Sequence, residues 1–379
     1  MAPPPRRSGI CGPSDHSVRK LFLINLFLLC IVLYAGLTPF HAPRNDVIWD
    51  SRTNGLRFGE HATIFSAESF PPGPGIAGHS VEIWMRPGEP ADDNTFLAFY
   101  DPKQARGFGL HQSVSDLELR VEPWSAWRPS NISRLYVDNA FQDGETHFWA
   151  VSSGASGTIL YRDGVRIKES RAFTTSALEF SGLLVIGGSP TANNSWSGNL
   201  LGLAIYNRAL TSEEVRHHAG TWIQKRNPEI SLDDACVALY LFNEHAGNVV
   251  HNQIHSGPDL LIPAKYTLVN ATVLDPVWRA FNWSWGYWQD ALINVIGLIP
   301  VGFFLCAYLS ANGLRNPVLT ASVIGCGISL FIELVQVFLP TRDSSMSDLI
   351  NNTAGSVLGA CLYAGRFGQA LERRIAHMN

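Results

Sequence analysis

Polar side chains interrupt the apolar segments near the C-terminus at spacings of three or four residues, so each group occupies one face of a helix. Carboxylates at membrane depth are costly unless they are paired or hydrated, and they often mark a functional site. The sequence therefore predicts a polar pocket among these segments. Its candidate residues are Asp290, Asn294, Glu333, Gln336, Arg342, Asp348, Asn351 and Asn352.

Three kinds of role fit this set of residues. Side chains of both charges beside apolar surface suit the headgroup of a lipid or another amphiphile. Alternatively, Glu333 or Asp348 would act as a general base while Arg342 holds a phosphate or carboxylate. In the third, purely structural reading, Asp348 caps the last helix and Arg342 pairs with Glu333. No residue can be assigned as catalytic, and binding is favoured over catalysis.

The elements that position these residues are apolar segments that could cross a membrane, which requires about 20 apolar residues each. The first segment could instead be a cleaved signal peptide, but no clean cleavage site follows it, so an anchor is preferred. The last contains Asn351 and Asn352 and could re-enter rather than span, while Gly355 and Gly359 form a GxxxG motif that suits close helix packing. The predicted spans are residues 21–40, 291–309, 318–339 and 349–365.

Basic residues predict the orientation of these spans, because they accumulate on the cytoplasmic side. They lie in the tail 1–20, in the link between the second and third spans and in the tail 366–379. Both termini are then expected in the cytoplasm of a bacterial cell, with the region between the first two spans outside the inner membrane. The pocket residues are expected at the outer leaflet, and Arg342 is the one basic residue against the trend.

The middle region, residues 46–265, changes to short alternating apolar runs separated by turn residues, which predicts an antiparallel β-sandwich. Asp163-Gly164 is a strong tight-turn signal. The net charge of −4 argues against a nucleic-acid partner. Cys236 is the sole cysteine of this region, so no disulfide framework is expected, and no metal-ligand spacing is present.

Several residues of the middle region could bind a ligand, each with a competing structural explanation. Trp124 and Trp127 could stack on a sugar ring or pack in the core. Glu82 has apolar neighbours and is interpreted as a charged residue on a solvated sheet face. No cofactor is predicted, because turn formation explains the acids that could bind Ca²⁺ better than a metal does. Those acids are Asp92, Asp93, Asp143 and Asp163.

An aromatic cluster in residues 266–289 precedes the second span. If this segment is helical, its aromatic residues share one face and anchor it at the membrane interface. A ligand-stacking platform is the alternative. The four residues are Trp278, Phe281, Trp285 and Trp288.

Phrases of the middle region resemble the laminin G (LamG) or concanavalin A-like sandwich family. They are SVEIWMRP, ILYRDGV, LLVIGGS, WSGNLLGLAIYNRALTSEEVRHHAG and VALYLFNEHAG. The resemblance implies two facing antiparallel sheets and binding of a glycan or protein. The phrase YLFNEHAGNVVHN, within 236–252, usually opens such a domain, so either the order is permuted or the phrase adds a terminal strand.

Phrases of the C-terminal region resemble the VanZ-like membrane protein family, with the polar positions in order. They are the segments 290–302, 332–345 and 348–359, and the Leu37–Phe40 phrase is similar to the end of that family's first helix. The resemblance implies that the sandwich is an insertion in an all-α bundle of four transmembrane helices. It also implies an association with glycopeptide (teicoplanin) resistance, with no catalytic residue carried over.

Overall fold

The computed structural model divides the chain into two compact units. One comprises Met1–His41 and Val273–Asn379, and the other comprises Ala42–Thr272. The structure describes residues 15–51, 53–73, 78–88, 93–104, 106–123, 132–225, 235–254, 257–281, 283–365 and 368.

The unit Ala42–Thr272 contains two antiparallel sheets, each with eight described strands. The first sheet consists of β1 (Val47–Trp49), β2 (Leu56–Phe58), β4 (His79–Pro87), β9 (His147–Gly154), β10 (Gly157–Arg162), β11 (Val165–Ser170), β13 (Gly198–Tyr206) and β14 (Cys236–Tyr240). The second consists of β3 (Ile64–Ser66), β5 (Asp93–Tyr100), β6 (Gly107–Ser113), β7 (Asp116–Glu122), β8 (Ser133–Val137), β12 (Leu183–Ile186), β15 (Val249–Val250) and β16 (Leu260–Leu261). The expected antiparallel, concanavalin A-like architecture is confirmed.

The order of strands explains the late position of the 236–252 phrase. The first sheet runs β1-β2-β13-β4-β9-β10-β11, with β14 paired to β13, and the second runs β15-β16-β3-β12-β5-β6-β7-β8. Strand β14 therefore joins the first sheet, whereas β15 joins the edge of the second. The phrase thus adds strands to both sheets.

Alternation along each strand builds the core between the sheets. In β7, Leu117, Leu119 and Val121 are buried in the main apolar cluster, so the intervening Glu118 and Arg120 lie on the opposite face of the sheet. The predicted tight turn is confirmed, because Asp163 and Gly164 both have positive φ, at 52° and 78°, between the paired strands β10 and β11.

Helix α2 (Ser212–Lys225) covers the outer face of the first sheet and builds a second apolar cluster there. Its Trp222 is fully buried, and a Cβ at Gly202 of β13 would lie 1.9 Å from the Trp222 ring, so glycine is needed for this approach. At the helix start, the Thr211 backbone N–H and hydroxyl both donate to Glu214, and the Glu214 N–H donates to the Thr211 hydroxyl. This reciprocal pair is a capping box.

Glu214 should make the stability of the sandwich depend on pH. Hydrogen bonds from Arg208, followed by those from Thr211, lower its pKa from 4.5 to about 2. Because the folded-state pKa is the lower one, the stabilisation is complete above pH 4.5 and is lost as the pH falls towards 2. We expect Glu214→Gln to lower the free energy of unfolding at neutral pH by about 0.5–2 kcal/mol.

Thermal denaturation of the full chain in detergent, followed by tryptophan fluorescence, measures this loss. The control is Glu213→Gln, which removes an exposed acid from the same helical turn. A Glu214→Gln effect as large near pH 2 as at neutral pH would contradict the argument.

The other unit is a bundle of four long described helices, in which each of the last three packs against the others. The long helices are α1 (Asp15–Leu37), α4 (Trp285–Ala311), α5 (Pro317–Gln336) and α6 (Met346–Ala364), and α3 (Val277–Ala280) is a single turn. Among the described residues, α4, α5 and His16–Leu37 of α1 are long and apolar enough to cross a membrane. Three candidate spans are thus found where the sequence predicted four, and α6 is not among them.

Glycines allow α4 and α6 to approach closely, as the GxxxG spacing indicates. A Cβ at Gly355 would lie 2.1 Å from the carbonyl oxygen of Val295, and a Cβ at Gly359 would lie 2.0 Å from that of Ile299. Backbone atoms cannot yield as a flexible side chain does. The small residues therefore set the spacing of the two helices.

Substituting Gly359 with alanine should force α4 and α6 apart. We expect Gly359→Ala to destabilise the bundle by about 1–3 kcal/mol, the usual cost of overpacking. The matched control is Gly327→Ala on α5, where an added Cβ meets no atom within 4 Å. The readout is the midpoint of thermal unfolding in detergent, and equal midpoints for the two variants would refute the close-packing argument.

Candidate functional site

All eight polar residues singled out in the C-terminal region line one cavity of about 650 Å³ within the helical unit. The α1, α4, α5 and α6 helices and the 337–345 loop contribute to its wall. Apolar side chains of α1 and α4, including Ile31, Val32 and Leu298, line the rest. The cavity is therefore amphipathic.

The loop that follows α5 is held by the chain that enters the bundle. The Asp275 N–H donates to the Ser344 carbonyl at 2.7 Å, and the Met346 N–H donates to the Asp275 carbonyl at 2.9 Å. The Leu274 N–H also donates to the Ser344 hydroxyl at 3.1 Å. These bonds form a short parallel bridge between Asp275 and Ser345, and this bridge fixes the loop at the cavity.

Glu333 is 1% exposed, and its Oε2 accepts the backbone N–H of Ser345 at 2.7 Å. Ser345 is also the N-cap of α6, because its hydroxyl accepts the Ser347 N–H. The purely structural interpretation of the sequence assigned this capping role to Asp348, and the structure corrects it to Ser345. Asp348 instead accepts a 2.6 Å hydrogen bond from the Asn294 amide on α4.

Arg342 and Gln336 bind the C-terminal end of α1. The Arg342 guanidinium donates to the carbonyls of Thr38 and Ala35, and the Gln336 amide donates to that of Gly36 at 2.8 Å. The last carbonyls of a helix lack partners within the helix, and a cation is favourable there. The predicted charge pair between Arg342 and Glu333 is therefore wrong, because the guanidinium satisfies backbone carbonyls instead.

Some polar atoms of the cavity wall have no partner among the described residues. Asp290 is exposed and makes no hydrogen bond or ion pair with another described residue. Gln336 and Ser347 are 8% and 6% exposed, and the Gln336 Oε1 and Ser347 Oγ atoms are buried without a hydrogen bond. Asn351 and Asn352 also line the cavity, on the first turns of α6.

The aromatic cluster does not form one helix. After the single turn of α3, the chain is extended at Phe281, and Ser284 caps the start of α4. Trp285 and Trp288 thus belong to the first turn of the α4 helix. Trp278, Phe281, Trp285 and Trp288 are all exposed.

Of the candidate ligand-binding residues of the sandwich, some lie outside the described residues and others contact neighbouring side chains. Trp124, Trp127 and Asp92 lie outside the described residues, as does the side chain of Asp93. Asp143 and Asp163 both contact His147, at 3.0 and 2.7 Å, and Asp163 also accepts the Phe148 N–H. Arg162 donates to Asp143 as well. These donors occupy oxygen atoms that a Ca²⁺ ion would need.

Glu82 is not on a solvated face, which corrects the interpretation drawn from the sequence. It is 0% exposed beneath α2, where its carboxylate accepts from the Tyr206 hydroxyl and contacts His218 Nδ1, both at 2.8 Å. Strand alternation does place it away from the main core, but α2 covers that face. In the sequence, the only feature that could have indicated this burial was the helical pattern beginning at Thr211.

Sequence reasoning also missed a charged cluster on the outer face of the second sheet. Glu118 is 1% exposed between Arg120, at 2.5 Å, and Arg134, at 3.2 Å. Both arginines help to lower its pKa against the opposing effect of burial. On the adjacent strand, burial lowers the pKa of His111, whose Nδ1 bonds the Thr95 hydroxyl at 2.9 Å. The alternation of apolar and charged residues along β7 was the sequence feature that could have indicated this charged cluster.

Removing the Glu82 carboxylate should destabilise the sandwich. Glu82→Ala deletes an acceptor that Tyr206 and His218 share in a buried site, at an expected cost of about 3–5 kcal/mol. Denaturation of the full chain in urea measures the loss, with the exposed Glu145→Ala as control. A solvated Glu82 would instead give two variants of equal stability.

Two family models match this chain. Residues 60–216 match the concanavalin A-like lectin/glucanases superfamily (laminin G type), and residues 235–367 match VanZ/LLP1. The second match includes α4, α5 and α6 but not α1, so the Leu37–Phe40 phrase lies outside it. No curated protein matches the sequence.

Similar solved structures come from toxin binding domains. A botulinum neurotoxin type C structure, described by the dependence of cell entry on two ganglioside molecules, is 12% identical over 47% of this chain and 45% of that chain, with a TM-score of 0.35. The receptor binding domain of botulinum neurotoxin D is 11% identical over 60% and 74%, with a TM-score of 0.35. The binding domain of Paraclostridial Mosquitocidal Protein 1 is 14% identical over 48% and 47%, with a TM-score of 0.35. This chain spans less than half of two of these structures, and TM-scores this low carry no conclusion about it.

Proposed function

We propose that this chain, a VanZ-like membrane protein with a LamG-type domain, binds the polar headgroup of a lipid or another amphiphile in the cavity among its helices. The observation that carries the proposal is the amphipathic wall of the 650 Å³ cavity. Its carboxylate and amide groups suit a headgroup, while Ile31, Val32 and Leu298 suit the adjoining hydrocarbon.

The proposed topology has four membrane-spanning helices, with both termini in the cytoplasm of a bacterial cell. Arg19 and Lys20 lie near the start of α1, and Arg315 lies between α4 and α5, as the positive-inside rule requires. Helix α6 is uninterrupted over 19 residues, so it is about 28 Å long at 1.5 Å per residue. That length supports spanning over re-entry.

In this topology, the cavity belongs to the outer leaflet. Asp290 lies at the start of α4, Gln336 at the end of α5 and Asp348 at the start of α6, and all three helix ends would face outward. The exposed aromatic residues Trp278, Phe281, Trp285 and Trp288 would anchor this end at the headgroup layer.

The inserted sandwich would then be displayed outside, where a LamG-type domain suits an envelope glycan or a protein ligand. The association of VanZ-like proteins with glycopeptide (teicoplanin) resistance gives one setting in which an envelope amphiphile would matter. Binding is proposed ahead of an enzymatic role, because the Arg342 guanidinium, the candidate group for holding a substrate phosphate, directs its Nε and Nη2 groups to backbone carbonyls.

Filling the cavity tests the proposal. Gly297 lines the cavity, and an added Cβ there meets no atom within 4 Å, so Gly297→Phe should occupy the headgroup space without a backbone clash. Native mass spectrometry of the detergent-extracted chain should show about tenfold less co-purified lipid, corresponding to ~1.4 kcal/mol. The matched control is Gly327→Phe, which has equally open space on α5 away from this cavity.

Two outcomes would contradict this proposal. Lipid retention that is equal in both variants would mean that the cavity holds no amphiphile. Loss of the folded protein on Asp290→Asn, which breaks no hydrogen bond among the described residues, would favour a purely structural role for the polar network. Arg342→Ala is a poor test, because it also removes the donors to α1.

A further inference from the structure

The polar and apolar residues of the cavity wall lie on different helices. Every described lining residue of α6 is polar, whereas every described lining residue of α1 is apolar. On α4, Asp290 and Asn294 lie nearer the start of the helix, and Gly297 and Leu298 follow further along it. The wall therefore changes from polar to apolar on going from α6 towards α1. The α6 residues are Ser347, Asp348, Asn351 and Asn352, and the α1 residues are Ile31, Val32, Ala35 and Gly36.

Three pairs of helices around the cavity are in direct contact. Helices α4 and α6 meet at the glycines of the GxxxG motif. A Cβ at Gly325 of α5 would overlap the Ser356 side chain of α6, and a Cβ at Gly36 of α1 would lie 2.9 Å from Ile332 of α5. Because the members of each pair touch, a ligand has no space to pass between them.

The fourth pair, α1 and α4, is joined away from the cavity. The Asn25 amide donates to the Phe304 carbonyl at 3.0 Å, and the Phe22 and Tyr308 rings lie 6.1 Å apart. The cavity begins at Ile31, six residues after Asn25 and thus about 9 Å further along α1 at 1.5 Å per residue. At the level of the cavity, no hydrogen bond joins the two helices within the described part of the chain.

The lining residues of α1 and α4 at this level are apolar and accessible. Ile31 and Ile293 both line the cavity, yet both side chains are exposed, that of Ile293 at 57%. A Cβ at Gly297 would meet no atom within 4 Å. Both helices are long and apolar enough to cross a membrane, so their exposed apolar faces suit hydrocarbon. The cavity thus has an apolar opening between α1 and α4.

We infer that the cavity takes its ligand sideways from the bilayer through the opening between α1 and α4. The headgroup then lies against the polar wall of α6, and the hydrocarbon chain runs between Ile31 and Ile293 into the membrane. This inference rests on the proposed amphiphile-binding function and names the class of ligand as a lipid resident in the bilayer. A water-soluble amphiphile would instead enter from the aqueous side and lie wholly within the cavity.

Photolabelling of the full chain in dodecyl maltoside tests this path of the hydrocarbon chain. The probes are palmitoyl lysophospholipids with ethanolamine, glycerol or choline headgroups, each with a diazirine on the part of the chain next to the headgroup. Mass spectrometry of peptides then locates the label. Label that an excess of the same lysophospholipid without diazirine removes is specific. We expect specific label on residues 31–35 and 293–297.

Narrowing the opening should reduce this label. Ile293→Trp places a larger side chain between α1 and α4 and should lower specific labelling by about tenfold. Ile31→Trp, on the other helix of the pair, should have the same effect. The matched control is Ile296→Trp, which changes an isoleucine of α4 that is 54% exposed and does not line the cavity. The control variant should label as the unchanged chain does.

The outcomes separate this inference from the proposed function. Specific label on α5 or α6 in place of α1 and α4, or equal labelling of Ile293→Trp and Ile296→Trp, overturns the sideways path and leaves amphiphile binding intact. Absence of specific label with all three headgroups also overturns the path if Gly297→Phe still lowers the amount of co-purified lipid. If Gly297→Phe leaves that amount unchanged as well, the proposed function itself is overturned.

Discussion

Polar groups buried between apolar helices must find partners, and this requirement organises the helical unit. The last carbonyls of α1 lack N–H donors within their own helix. Arg342 and Gln336 supply donors to the carbonyls at this end. Glu333 in turn holds the backbone of Ser345, which caps α6. One set of contacts thus joins α1, α5 and α6 around the cavity.

Close packing of α6 against α4 also holds the bundle together. The glycines of α6 bring its backbone against α4, which places Asp348 within 2.6 Å hydrogen-bonding distance of Asn294. The wall that remains carries carboxylate and amide groups beside apolar side chains. The same contacts that stabilise the bundle therefore shape the cavity.

The same requirement holds in the sandwich, where the buried carboxylates described above lie on the outer faces of the two sheets and not in the apolar core between them. Helix α2 covers one such face and buries Glu82 with Tyr206 and His218. On the other sheet, Arg120 and Arg134 flank Glu118. Each carboxylate is buried because a partner of the right chemistry lies beside it.

The sequence by itself determined the division into apolar helices and alternating strands, the tight turn at Asp163-Gly164 and the polar residues that line the cavity. These follow from local period, turn chemistry and charge bias, which short stretches of chain carry. Only the tertiary structure decided that Arg342 binds α1 and not Glu333, that Ser345 caps α6, and that α2 buries Glu82. Those partners are distant in the chain, and hydrogen bonding depends on which groups come within about 3 Å, a distance that spacing along one helix or strand does not specify.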